Sequence, residues 1–206
     1  MKRVLAIVAA VLVVDQVLKI WIKTHMTLGE DIVITDWFII HFTENPGMAF
    51  GMELGGSWGK LLLSLFRILT IGLIFYWIRQ LLGRRRLSTG ALTAVALILA
   101  GAIGNVLDSA FYGLLFSDSY GQPATFLPAG GGYAGFLYGH VVDMFYFPLF
   151  RGYLPEWLPI WGGDYFVFFR PVFNVADAAI STGVGLLLIF QREVFGEEQG
   201  RSTTPS

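Results

Sequence analysis

With 206 residues, 55% hydrophobic and only 14% charged, and a mean hydropathy of +0.63, the chain falls well short of the roughly 25% charged residues of a soluble domain; it reads as an integral membrane protein of one compact bundle. A formal net charge of -1 gives no footing for a nucleic-acid partner. The absence of cysteine excludes disulfides, a thiol nucleophile and thiolate metal sites, and His25, His41 and His140 are too scattered to make a zinc hydrolase.

The first candidate span is 4–22. Lys2 and Arg3 before an apolar run also fit a secretory leader, but no small-x-small cleavage site follows; Asp15, Gln16, Lys19 and then Trp21 suit a retained helix that ends at an interface. Residues 23–60 are polar by comparison. Within them Ile32-Val33-Ile34 and Trp37-Phe38-Ile39-Ile40-His41-Phe42 read as two short strands, and Glu44-Asn45-Pro46-Gly47 is turn chemistry. The second span is 61–82, with Arg67 about two turns from its start. Arg79, Arg84, Arg85 and Arg86 close it. Together with Lys2, Arg3 and Arg192 they place both termini and the intervening loop in the cytoplasm by the positive-inside rule.

The third span, 87–108, carries no charge before Asp108, and Ala94, Ala100, Gly101 and Gly104 suit close helix packing. Residues 109–171 form a long outer segment. Its Gly130-Gly131-Gly132 matches no phosphate-binding fingerprint, and its aromatic residues, among them Trp157, Trp161, Phe168 and Phe169, suit contact with a membrane interface. A fourth span, 172–190, precedes a polar tail, 193–206, expected to be disordered.

The polar residues inside these apolar runs carry the functional signal. An Asp at a helix centre costs roughly 2.5–3.5 kcal/mol on insertion scales. Yet Asn105 and Asp108 end the third span, and Asn174 and Asp177, spaced to share one helical face, begin the fourth. Asp15 and Arg67 lie towards the same side, and Asn45 and Asp143 belong to the outer segments, so the costly groups gather in one leaflet. Some are structural on a plain reading: Asp15 has Lys19 at i+4, and Arg67 fits a structural partner or a headgroup contact. Two carboxylates in a poorly solvated place do not both ionise, which leaves an acid and a base able to activate water against an amide, with asparagines to orient the substrate. The rival readings are an ion-coupled small transporter, which would favour midplane polar groups and internal repeats, and an inert scaffold tied together by Asn105 and Asn174.

The ordered blocks Asp15-Gln16 with Lys19, 36–42, Asn45-Pro46-Gly47-Met48-Ala49-Phe50, 101–108 with Gly104-Asn105 and Asp108, Val141-Val142-Asp143 and Phe173-Asn174-Val175-Ala176-Asp177 resemble the prolipoprotein signal peptidase (signal peptidase II) family over all four spans. The resemblance implies an aspartyl endopeptidase of the bacterial inner membrane that removes the signal peptide from diacylglyceryl-modified prolipoproteins just before the lipidated cysteine. It implies a membrane protein of four helices, all-α apart from a small periplasmic β-sheet, to which this chain adds a long periplasmic insertion before the fourth helix. Residues 23–60 and 109–171 would be periplasmic, and the active site would lie near that surface. Asp143 and Asp177 would be catalytic. Asn45, Asn105 and Asn174 would position the substrate or the pair, with Asp15 and Asp108 in support. No metal or other cofactor is implied; membrane lipid and a globomycin-type inhibitor are expected partners. The chain departs from the family at Ser109, where an Arg is usual. Arg67, Arg151 and Arg170 are the candidates to replace it. The stretches on either side of Asp143 are also longer than usual.

Overall fold

The computed structural model describes residues 2–46, 56–84 and 87–195. Helix α1 (Lys2–His25) leads into a hairpin of β1 (Asp31–Thr35) and β2 (Phe38–Asn45), then α2 (Gly56–Arg84) and α3 (Thr89–Leu107). A π-helical segment, Asp108–Tyr112, and a short α4 (Gly113–Leu115) prolong α3. After a long irregular passage come β3 (Val141–Tyr146), β4 (Phe150–Tyr153), β5 (Tyr165–Phe168), β6 (Val172–Phe173), α5 (Val175–Ile189) and α6 (Gln191–Phe195). Expectations for 47–50, for Arg85 and Arg86, and for the tail beyond Phe195 fall outside the described residues.

Three helical stretches, Lys2–His25, Trp58–Leu81 and Thr89–Leu115, are long and apolar enough to cross a membrane, while Val175–Ile189 is a shorter apolar helix. Two expected boundaries therefore move. The third span does not stop at Asp108, because the backbone passes into a π-helical turn and runs on to Leu115. Residues Val172 and Phe173, expected to open the fourth span, are instead a strand. Their N–H and C=O groups pair with β3, and the helix begins only after Asn174.

The four-stranded antiparallel sheet has the order β1-β2-β3-β6. Its register sets Thr43 opposite Asp143, Glu44 opposite Val142 and Phe145 opposite Phe173. A second sheet, the β4–β5 hairpin, has no counterpart in the sequence reading, which took its aromatic residues only as interface contacts. Alternation along the strands sends Phe42, Val142 and Met144 inward against Ile22, Met26 and Phe116, all buried. Each such side chain contributes about 1.5–3 kcal/mol by leaving water. A second core, with Val4, Ile78, Val95 and Leu99, joins α1, α2 and α3. The outer face of α2 leaves Leu62, Phe66, Leu69 and Leu73 exposed, as lipid contact requires.

The long passage between α4 and β3 is not loose. Ala124 N–H bonds the Lys23 carbonyl at 2.8 Å, Leu28 N–H the Ser119 carbonyl at 2.9 Å, and Gly139 N–H the Ser109 carbonyl at 2.8 Å. It thus ties the end of α1 to the end of α3 and delivers the chain to β3.

Candidate active site

Asn174 is not inside a helix. It has an extended backbone (φ -120°, ψ -178°) and caps α5: its side-chain oxygen accepts from Asp177 N–H at 2.9 Å, and the Asp177 carboxylate accepts from Asn174 N–H at 3.4 Å. The i, i+3 spacing read as one helical face is a capping box, whose reciprocal bonds satisfy the orphan donors of a first turn. An Asp in that turn also faces the positive end of the helix dipole.

Asn105 approaches the cap from α3. Its oxygen accepts from Lys19 Nζ at 3.0 Å and from Asn174 Nδ2 at 3.2 Å, so its own Nδ2 is turned outward and donates to Asp177 Oδ1 at 2.8 Å. Asn174 Nδ2 donates to Asp143 Oδ1 at 2.7 Å, with the Val142 carbonyl also in reach at 3.2 Å. Each carboxylate of the pair thus takes one side-chain amide donor. Asp177 is half-buried, whereas Asp143 retains only 6% of its surface. Burial, then the neighbouring Asp177 charge, push the Asp143 carboxyl up to about 7, against Lys19 and the Asn174 hydrogen bond, which pull the other way.

Beneath the pair lies a second tier. Lys19, wholly buried, bridges Asp15 at 2.9 Å and Asp108 at 2.7 Å. Asp15 Oδ1 also accepts from Ala176 N–H, an orphan donor of α5, at 2.9 Å. Asp108 Oδ2 accepts from Val142 N–H at 3.3 Å, next to Asp143 in β3. Gln16 Nε2 donates to Asp108 at 2.9 Å and to Asp15 at 3.1 Å. The tier locks α1, α3, β3 and α5 to one another. It needs glycine on α3: a Cβ at Gly104 would stand 2.8 Å from Asp15 Oδ2, and one at Gly101 2.2 Å from the Ala176 carbonyl.

The structure therefore brings together Asp15, Asp108, Asn105, Asn174, Asp143 and Asp177. Asn45 ends β2 in register with Val141, two positions along β3 from Asp143. In the sequence Lys19 is read as the i+4 partner of Asp15 and Gln16 only as part of a motif; a lysine and a glutamine within an apolar run are the signal that both have further buried partners. A further cluster escaped the sequence reading. Lys23 forms a buried ion pair with Glu44, which also binds Ser119 Oγ at 2.9 Å and His140 Nδ1 at 3.1 Å. Burial works against the Glu44 charge, but the His140 hydrogen bond and the Lys23 ammonium carry its carboxyl down to about 2. This cluster fastens the passage before β3 to the strand beside Asp143. Among the described residues, no group of three or more His, Asp or Glu has the geometry of a metal site.

The model of the family described as signal peptidase (SPase) II matches residues 7–192. A lipoprotein signal peptidase of Porphyromonas gingivalis is 53% identical over 205 residues, covering 99% of this chain and 89% of the relative. One of Amoebophilus asiaticus is 41% identical, covering 87% and 73%, and one of Pelodictyon phaeoclathratiforme is 30% identical, covering 99% and 98%. In fold, the chain is similar to a bacterial membrane enzyme solved in meso at 1.9 Å, with a TM-score of 0.61, 23% identity and 93% of both chains covered. The matched stretch contains all of the polar residues gathered above, and the chain belongs to the signal peptidase II family.

Proposed function

We propose that this protein removes the signal peptide from diacylglyceryl-modified prolipoproteins by aspartic catalysis, with Asp143 and Asp177 as the working pair. The observation that carries the reading is the inequality of the two carboxyls. Asp143 is buried and holds a proton up to about 7, while Asp177, half-buried at the mouth of α5, takes an amide donor from Asn105. One proton shared between two carboxyls is the arrangement that hydrolyses amides without a metal.

Asp177 takes a proton from water as the water oxygen attacks the carbonyl carbon before the lipidated cysteine. Asp143 gives its proton to the carbonyl oxygen. The resulting gem-diol collapses: one hydroxyl returns a proton to Asp143, the C–N bond breaks, and Asp177 delivers its proton to the departing nitrogen. Asn105 and Asn174 hold the two carboxylates, Asp15 and Asp108 hold the frame through Lys19, and Asn45, at the end of β2, would meet the substrate chain. No cofactor enters these steps.

In the orientation we propose, both termini are cytoplasmic and the sheets lie on the periplasmic side of the bacterial inner membrane. The acyl chains of the substrate remain in lipid, so much of the binding comes from lipid and apolar contacts. A globomycin-type peptide would compete for this site. Membership of the peptidase family removes the case for an ion-coupled transporter. An inert scaffold would have no use for two carboxyls held side by side.

The test is cleavage of a purified diacylglyceryl-prolipoprotein in detergent, read by gel shift. The wild type should cut the lipidated form and spare the unlipidated precursor. Asp143→Asn and Asp177→Asn should each lose at least about a thousandfold in rate, about 4 kcal/mol of transition-state stabilisation, while remaining folded. Substantial activity in either variant would refute the pair.

A further inference from the structure

Among the described residues, the site has four carboxyl groups, Asp15, Asp108, Asp143 and Asp177, and a single ammonium in contact with them, Lys19, which touches Asp15 and Asp108. Asp143 and Asp177 are met by neutral amides. If Asp143 keeps its proton and Lys19 its charge, two negative charges remain in a largely buried site, which is costly without a further cation.

One cation faces the site and has no role in what has been described. Arg67, about three turns into α2, donates from Nη1 to Ser109 Oγ at 3.4 Å, and Ser109 in turn donates to the Asn105 carbonyl at 3.0 Å. Ser109 is buried, with 3% of its surface exposed. The guanidinium is half-buried, and among the described residues no carboxylate touches it. The carboxylates whose charges act on it are Asp177, Asp108 and Asp143. The other two arginines considered for this place are elsewhere: Arg151 is exposed on β4 opposite Val167, and Arg170 is exposed beside Leu154, Trp161 and Asp164.

We propose that Arg67, anchored on Ser109, is the second cation of the site, a positioning residue whose charge confines the Asp143–Asp177 pair to one proton. In this chain the guanidinium reaches the pair from α2 rather than from position 109 itself, and the serine serves as its anchor. This rests on the peptidase reading for its consequence in catalysis, but not for its effect on the carboxyl groups. The charged and polar groups around the pair are Asp15, Gln16 and Lys19 from α1, Glu44 from β2 with its partners Lys23 and His140, Arg67 from α2, Asn105 and Asp108 from α3 and its extension, and Asn174 from the cap of α5. Among these described residues, Arg67 is the one whose positive charge is not already committed to a carboxylate.

The experiment follows the protonated carboxyl of the full-length protein by infrared titration in detergent, the band being assigned by its loss in Asp143→Asn. In Arg67→Gln the band should persist to higher pH by about one unit, a tenfold change in acid dissociation. The combined Arg67→Gln/Ser109→Arg variant, which returns a guanidinium by the other route, should bring it back. Ser109→Ala removes the anchor without disturbing the packing of α2 and should move the band the same way by less. The pH profile of cleavage should follow the band. A band at its wild-type pH in both Arg67→Gln and Ser109→Ala overturns the proposal, whatever the activity. If the band moves but the wild type cleaves no lipidated substrate, the charge role of Arg67 stands and the peptidase reading fails instead.

Discussion

Asn174 serves two ends at once: its oxygen caps α5 and its amide nitrogen holds Asp143. Through the cap, Asp177 is fixed to the same turn, so the separation of the two carboxyls is set by β3 on one side and a helix start on the other. The consequence is a specific pH dependence. On the proposed mechanism Asp143 must carry its proton to act as the acid, so kcat/KM should fall about tenfold for each pH unit above about 7. Stability has its own sign. The folded chain binds this proton more tightly than the unfolded chain does, so the stabilisation is complete below the ordinary carboxylate value near 4. It is then lost as pH rises through about 7, at about 1.4 kcal/mol per unit crossed. Asp143→Asn mimics the protonated acid and should remove that slope. Thermal unfolding in detergent at pH 8 should therefore find the inactive variant more stable than the wild type. Equal or lower stability at pH 8 would mean that Asp143 is ionised there without penalty.

Among the elements, α1 carries the polar tier, because Lys19 joins it to α3 and its π-helical extension and Asp15 joins it to α5. Replacing Lys19 with Met would leave two buried carboxylates without a cation and should cost about 3–5 kcal/mol, seen as a lower thermal midpoint. Adding Asp15→Asn and Asp108→Asn to that variant should recover most of the loss, since neutral amides keep hydrogen-bonding oxygens for Ala176 and Val142 N–H. A triple variant no more stable than the single one would show that the packing of the lysine stem, not its charge, is what matters. This tier also marks where the sequence stops being readable. Asp15 and Lys19 are legible as an i, i+4 pair, but nothing local says that the pair reaches Asp108, Asn105 and the first turn of α5. The repeated Asn-x-x-Asp spacing was visible and has two physical meanings: Asn105 and Asp108 straddle the passage from α3 into a π-helical turn, whereas Asn174 and Asp177 form a cap. The apolar run 172–190 looked like one span because Val172 and Phe173 are as apolar as the helix they precede; only their pairing with Tyr146 and Phe145 makes them a strand. The two strands of the first hairpin were legible from their β-branched and aromatic residues. The β4–β5 hairpin was not, since its alternation is hidden among aromatic residues that are mostly exposed.

At the scale of the whole molecule, the short α5 would, on the proposed orientation, set where the site sits in the bilayer. Its 15 residues span about 22 Å, against about 30 Å of hydrocarbon. If its cytoplasmic end is held at the interface by Arg192 and Glu193, Asn174 and the carboxyl pair lie below the outer surface, at a depth the acyl chains of a substrate share. The sheets then rest at headgroup level. The β4–β5 hairpin and its loop present Tyr153, Trp157, Ile160 and Trp161, each more than 60% exposed, just ahead of the point where the chain turns into α5. Large apolar rings left open to water are unfavourable, and the same rings at a headgroup boundary are stabilising. On the proposed orientation, this hairpin is the outer anchor that keeps the pair at the right depth. Trp157→Ser/Trp161→Ser should therefore reduce tryptophan quenching by brominated lipids and slow cleavage severalfold in lipid nanodiscs, chiefly through KM. In detergent, where depth has no meaning, its rate should match the wild type. Unchanged quenching in the double variant would place the hairpin away from the bilayer. A loss of rate in detergent as large as in nanodiscs would assign it to the substrate rather than to the membrane.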